Sequence, residues 1–345
     1  MTPELFLTQL LNGVQLGMLL FLMSAGLTLV FGIMGFVNLA HGTFYMLGAY
    51  LAVAAYDATD SFLAAAAAGV GATLLLGVVV ERLVLTRLYQ RDHLYQVLAT
   101  LGLILFFNEV VRIIWGPSSL FISTPQWLTG TIDLFGLSYP AYRFAIIAVG
   151  VGVALATYWL MHHTRVGMLI RAGASDGAMV SALGFNIRRM NTLVFGLGAG
   201  LAGLAGLMAG PILSVQSGMG EPVLILTLVV IVTGGIGSVR GAFYGALFVG
   251  MVDTIGRAFM PVLLPYVLER SVAQTAGPTI ASVLIYLFMA VVLAISPRGL
   301  FPCTTWLRSE SHPSWPRSSC WHWQRCPGWR THWAKATTSL SSPGC

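Results

Sequence analysis

Between residues 5 and 301 the chain alternates long apolar runs with short polar intervals. A membrane-spanning helix needs about 20 apolar residues. Stretches 5–31, 62–80, 94–115, 141–161 and 191–212 fit that length, and 242–264 and 279–295 complete the uninterrupted set. Two further stretches are apolar but broken. Residues 32–56 carry Gly32, Gly35, Asn38, His41 and Gly42 near their start. Such a break predicts a discontinuous helix or a re-entrant turn that lines protein or water rather than lipid. Residues 223–250 hold an apolar run followed by Gly-Gly-Ile-Gly-Ser, a second candidate break at 234–241. The pattern predicts an all-α polytopic membrane protein of eight or nine transmembrane helices with broken or re-entrant segments. An odd number would leave the N-terminus outside.

The polar intervals orient these spans. Residues 81–93 carry Arg82, Arg87 and Arg91, and residues 165–189 carry Arg165, Arg171, Arg188 and Arg189. Two spans separate the intervals, so both lie on one side, and their basic residues mark that side as cytoplasmic. Residues 116–140 have no Lys or Arg but several Pro and Gly, including Pro117, Pro125, Gly136 and Pro140, as in an outside loop with turns. The interval 165–189 is the longest strongly polar one. Within it, 169–183 reads as one short helix that Gly184 ends. Leu169, Ile170, Met179 and Leu183 would anchor it, with Arg171, Ser175 and Asp176 turned to solvent or a partner. An ordinary arginine-held surface loop is the competing reading.

Composition agrees: 57% of residues are hydrophobic and only 9% charged, against about 25% charged in soluble domains. Residues 1–302 hold 13 Arg against 11 acids, so most of the formal +6 belongs to the rest of the chain and gives no reason to propose nucleic acid. Residues 302–345 look foreign to the body. They hold all four Cys and six of the nine Trp, with no apolar period. They read as a disordered or out-of-frame tail after a permease domain at 1–301; a zinc site at Cys320, His322 and Cys326 fits no standard spacing. The N-terminus lacks the basic region of a signal peptide and reads as a retained first span.

Several chemistries are excluded by motif. No P-loop sequence occurs, and lysine is absent before Lys335, so any ATP hydrolysis must come from another subunit. No nucleophile, base or metal set converges, so no catalytic residue, metal or cofactor is expected. Asn38 and His41 lie about one turn apart, and with Gly42 they are candidates for the lining of a translocation path; a helix–helix hydrogen bond at the break is the alternative. Glu109/Arg112 and Asp253/Arg257 are spaced as intrahelical ion pairs. Small residues at four-residue spacing, Gly196, Gly200, Gly203 and Gly206, then Gly237 and Gly241, predict close helix packing.

Four stretches together carry a family resemblance. They are Gly35-Phe-Val-Asn38-Leu-Ala-His41-Gly42 with Gly48-Ala-Tyr50, Arg171-Ala-Gly-Ala-Ser-Asp176 with Gly184-Phe-Asn186, Ala202-Gly203-Leu-Ala-Gly206, and Gly234-Gly-Ile-Gly-Ser238 with Gly241. In this order the body resembles the membrane permease subunit of bacterial branched-chain amino-acid ABC importers, the LivH type. The resemblance implies a multi-pass protein of the bacterial inner membrane, working with a LivM-type second permease, two ATPase subunits and a periplasmic substrate-binding protein. It also implies that Arg171, Ala174, Asp176, Gly184 and Asn186 belong to an ATPase-coupling loop. That loop departs from the general importer pattern, with Arg171 where a Glu would lead. A urea or short-chain amide ABC permease is the alternative substrate class. An ion-coupled secondary transporter, which would show inverted repeats with paired broken helices, is the alternative mechanism.

Overall fold

The computed structural model describes residues 3–301 apart from 36–37, 90, 135–136, 267–269 and 298. The expectations for the tail at 302–345 and for Gly136 lie outside the described residues. Eleven α-helices and one β-hairpin occur among those described: α1 (Pro3–Met34), α2 (His41–Thr59), α3 (Phe62–Leu83), α4 (His93–Trp115), β1 (Thr131–Leu134), β2 (Leu137–Pro140), α5 (Ala141–His163), α6 (Arg165–Ser175), α7 (Gly177–Ala182), α8 (Ile187–Ala209), α9 (Gly220–Gly234), α10 (Val239–Leu263) and α11 (Arg270–Ile295). Six helices, α1, α3, α4, α5, α8 and α10, are long and apolar enough to cross a membrane. Among the described residues, α9 and the 279–295 part of α11 are shorter apolar helices, and α2 and α9 each follow a break in the chain. The fold is an all-α polytopic membrane protein.

Apolar residues surround most of these helices, because in a bilayer both the packed face and the lipid face are apolar. α4 shows it well: Ile104 and Val111 are buried, while Leu94, Leu98, Leu101 and Leu105 are exposed. α1 and α8 form the buried centre. They cross at Gly26 and Gly198, and Leu29 packs with Val194 further toward one end. α1 therefore runs antiparallel to α8.

The packing repeats with inverted direction. α3 lies along α8, with Thr73 against Gly203 and Gly77 against Ala199. α10 lies along α1, with Gly250 against Gly13 and Ala246 against Gly17. α1–α3 and α8–α10 thus form two similar three-helix units running oppositely. Each has a break after its first helix. The sequence placed the second break at 234–241; the structure places it at 210–219. Helix α8 ends at Ala209; Gly210 keeps helical angles, but Pro211 has no N–H with which to continue the ladder. Residues 235–238 are instead a tight turn, made by Gly235 and Gly237 at φ of 108° and 79°.

The ends of α3 and α5 and the start of α8 share the side that bears the arginines of 81–93 and 165–189. The N-terminus of α1 lies on the opposite side. There, residues 116–140 hold the antiparallel hairpin β1–β2, with Ile132 opposite Tyr139, a small strand pair not anticipated from the sequence.

Candidate translocation cleft and coupling segment

The first break turns on Gly35, in the left-handed region at φ 66°, where a side chain would be strained. The Asn38 carboxamide oxygen accepts from the Ala40 amide at 3.0 Å, and α2 starts at His41. The His41 Nε2–H donates to the Met23 carbonyl at 3.2 Å. Met23 lies eleven residues inside the end of α1, about 16 Å along its axis, so α2 begins deep in the membrane. Asn38 and His41 are both 0% exposed. Both lie inside the protomer: His41 ties the break to α1, the helix–helix alternative, while Asn38 holds its own turn, and the Asn38 Nδ2 and His41 Nδ1 are buried without a hydrogen-bond partner. Only Gly42, of the three, borders open space.

The second break mirrors the first. Residues 210–219 descend from the outer side, tied by reciprocal Leu120–Val215 backbone hydrogen bonds of 2.9 Å. The Gly218 amide then meets Met46 Sδ at 3.4 Å, and Gly220, opening α9, sits directly on Gly42. A Cβ on either glycine would overlap the other backbone. Two half-helices therefore start side by side within the membrane. Beside them, against α4, is a shallow cleft lined by Thr43, Met46, Ile104, Asn108, Glu221 and Leu224. Across its mouth the Asn108 Nδ2–H donates to Glu221 Oε1 at 2.8 Å. Sequence reading missed this pair. Asn108 sits beside Glu109, whose pairing with Arg112 drew the attention, and Glu221 follows a polar, glycine-containing stretch; their separation of 113 positions hides the contact. The available signal was the cost of leaving a carboxylate in lipid.

The polar segment on the arginine-rich side is two helices rather than the single helix expected at 169–183. Thr164 caps α6, its Oγ1 accepting from the Gly167 amide at 3.1 Å. Asp176 breaks the run because its carboxylate caps α7, accepting from the Met179 amide at 2.9 Å. Short polar side chains favour such caps over helix interiors. Gly184, at φ 87°, ends α7; its amide bonds Ser181 O, and the Phe185 amide bonds Val180 O. Asn186 caps α8 by accepting from the Arg189 amide at 3.1 Å. Ala174 lies in the last turn of α6, partly buried. Arg171 is also partly buried, with its Nη1 enclosed, and not turned to solvent as expected. Ile170 is buried, but Met179 and Leu183 are exposed rather than anchoring, as are Met168 and Phe185 of the same segment.

Behind that segment lies a second feature the sequence hid. Glu81 reads as part of a polar loop, yet it closes α3 at 1% exposure. Its carboxyl oxygens accept from Thr192 Oγ1 of α8 at 2.6 Å, from Tyr89 OH at 2.7 Å and from Thr86 Oγ1 at 3.3 Å. Burial, then the Glu81 carboxyl beside it, pushes the Tyr89 phenol well above its ordinary pKa, so it stays a donor. The start of α8, which follows the coupling segment directly, is pinned to α3 here.

Of the packing glycines, Gly196 and Gly200 face Val78 and Leu74 of α3, Gly203 faces Thr73 and Gly48, and Gly206 faces the Tyr45 carbonyl of α2. Gly241 meets Gly234. Gly237 lies in the turn before α10, where it faces Gly32 near the end of α1. The two spaced ion pairs are present, Arg112–Glu109 at 3.4 Å, exposed, and Arg257–Asp253 at 2.7 Å, with Asp253 buried.

The family model described as the permease component of the branched-chain amino acid transport system matches residues 9–293. The chain is 30% identical over 274 residues to the high-affinity branched-chain amino acid transport system permease protein LivH of Salmonella typhimurium, covering 74% of this chain and 87% of that protein. It is 30% identical over 269 residues to the corresponding permease protein BraD of Pseudomonas aeruginosa, covering 74% and 88%. The ribose import permease protein RbsC of Escherichia coli is 26% identical over 268 residues, covering 73% and 79%. Broken half-helices meeting within the bilayer and a match spanning nearly the whole membrane body lead to one conclusion: the chain belongs to the family of branched-chain amino acid transport permease components, membrane transport proteins rather than enzymes.

Proposed function

We propose that the protein is the pathway-forming subunit of an ABC importer for branched-chain amino acids in the bacterial inner membrane. A LivM-type second permease completes the channel, a periplasmic binding protein delivers substrate, and two ATPase subunits hydrolyse ATP. The observation that carries this reading is the α6–α7 surface. Met168, Met179, Leu183 and Phe185 are all exposed on the arginine-rich side, taken here as cytoplasmic, where exposed large apolar groups mark a protein contact. Asp176, Gly184 and Asn186 shape this segment through caps and a turn, and Arg171 and Ala174 lie within α6. Closure of the ATPase dimer would pull on α6–α7, and Asn186 passes that movement into α8, which carries α3 with it through Glu81–Thr192. The glycine crossings let the helices tilt without large side chains catching.

Co-purification tests the docking. Wild type should retain the ATPase subunits, and Met179→Asp with Leu183→Asp should lose them while remaining in the membrane at normal yield. Undiminished retention by the double variant would remove α6–α7 as the docking surface.

A further inference from the structure

Resting on the importer reading, we propose that the cleft between α2, α4 and α9 is a station for the substrate inside the membrane, with Glu221 and Asn108 receiving its ammonium group. The position of Glu221 is the first reason. It opens α9 beside Gly42, at the depth where α2 starts against the Met23 carbonyl. Asn108 lies seven residues before the end of α4, about 10 Å along the helix from that end. Glu221 is nevertheless exposed, and among the described residues no cation lies within ion-pair distance of it. A carboxylate left uncompensated at such depth belongs beside a water-filled path or a charged ligand.

The second reason is the shape of the donor and apolar set. The Asn108 carboxamide already donates to Oε1, which holds the carboxylate in place and leaves its other oxygen for an arriving N–H. Around the pair, Leu39, Met46, Ile104 and Leu224 form an aliphatic wall. The cleft as it stands has a volume of about 10 Å³, room for little more than one water, so the station opens only when α4 and α9 part; a primary ammonium beside a short branched hydrocarbon chain would then satisfy both halves. Arg112 stands four residues beyond Asn108, hence on the same face of α4 and about 6 Å outward. It pairs with Glu109 at 3.4 Å, both side chains exposed, and would have to exchange that carboxylate for the substrate's to serve the station. A neutral amide or urea offers no charge for Glu221, so the cleft favours the zwitterion.

The test uses the full importer, both permeases and both ATPases, in proteoliposomes supplied with leucine-loaded binding protein. Loss of one charge-assisted hydrogen bond predicts that Glu221→Gln lowers maximal uptake roughly tenfold to a hundredfold, with ATPase stimulation by the loaded binding protein retained. Glu221→Asp, which keeps the carboxylate, should retain more uptake than the amide variant. Wild-type uptake in Glu221→Gln would overturn the station. So would failure of the variant to assemble with the second permease, which would assign Glu221 to the subunit contact, and so would a parallel fall of uptake and ATPase activity, which would assign it to coupling. If the wild-type complex itself takes up no leucine, the importer reading fails, and the station with it.

Discussion

Removing the Glu81 carboxyl should loosen the join between α3 and α8 by an amount that can be worked from its contacts. Glu81→Leu deletes the acceptors used by Thr192 and Tyr89. Thr86 keeps a partner, since its Oγ1 also reaches the Glu81 backbone carbonyl at 2.9 Å. Thr192 keeps a weaker one, the Arg188 carbonyl at 3.0 Å. Two side-chain hydrogen bonds to a carboxyl are therefore lost, about 2–4 kcal/mol, and the buried leucine offsets part of this by about 1 kcal/mol. The net expectation is a loss of roughly 2 kcal/mol. Thr192→Val alone should cost about 1–2 kcal/mol, and in the Glu81→Leu background almost nothing, because its partner is already gone. Unfolding in mixed detergent micelles of wild type, both single variants and the double variant gives the coupling energy directly. The predicted coupling is about 1–2 kcal/mol. Effects that add to within about 0.5 kcal/mol would refute the bond as a link between the two helices.

Three further outcomes follow from the same geometry. Gly203→Leu forces a side chain into Thr73 and the Gly48 backbone; overpacking of this kind costs about 1–3 kcal/mol or more, and folded yield in detergent should fall sharply. Asp176→Ala and Asn186→Ala each remove a helix cap worth about 0.5–2 kcal/mol; ATPase retention on co-purification should weaken while the yield of the permease itself is kept. Gly184→Val forces a branched side chain to φ 87°, at a cost of about 1–2 kcal/mol, and should uncouple ATP hydrolysis from uptake in reconstituted complexes.

The spans were readable from sequence because a bilayer imposes one dominant pattern, and nothing else explains apolar runs of that length. The first break was readable for the same reason: Gly35, Asn38 and His41 interrupt such a run. The second was misplaced. Gly234 to Gly237 drew attention as a glycine cluster, but those residues make a turn between helices. Pro211, Gln216 and Ser217, which accompany the true break, looked like an ordinary span end. Burial was harder still. His41 and Asn38 looked like path residues because they are polar, yet a polar group in an apolar run is equally used by the Met23 carbonyl, for His41, or by the Ala40 amide, for Asn38. Glu81 was grouped with the arginines after it because its partner Thr192 is 111 positions away. The exposed mixture of Met179, Leu183 and Phe185 differs from a packed face only once the neighbours are known.

The account holds that this chain has no energy source of its own and takes its force from a hydrolysing partner. The most direct measurement reconstitutes the purified chain in liposomes, alone and with its permease, ATPase and binding-protein partners, and follows L-leucine under an imposed proton or sodium gradient and then with ATP. Accumulation should appear only in the complete complex with ATP and should survive a protonophore. Uphill movement of leucine by the chain alone on an ion gradient would contradict it.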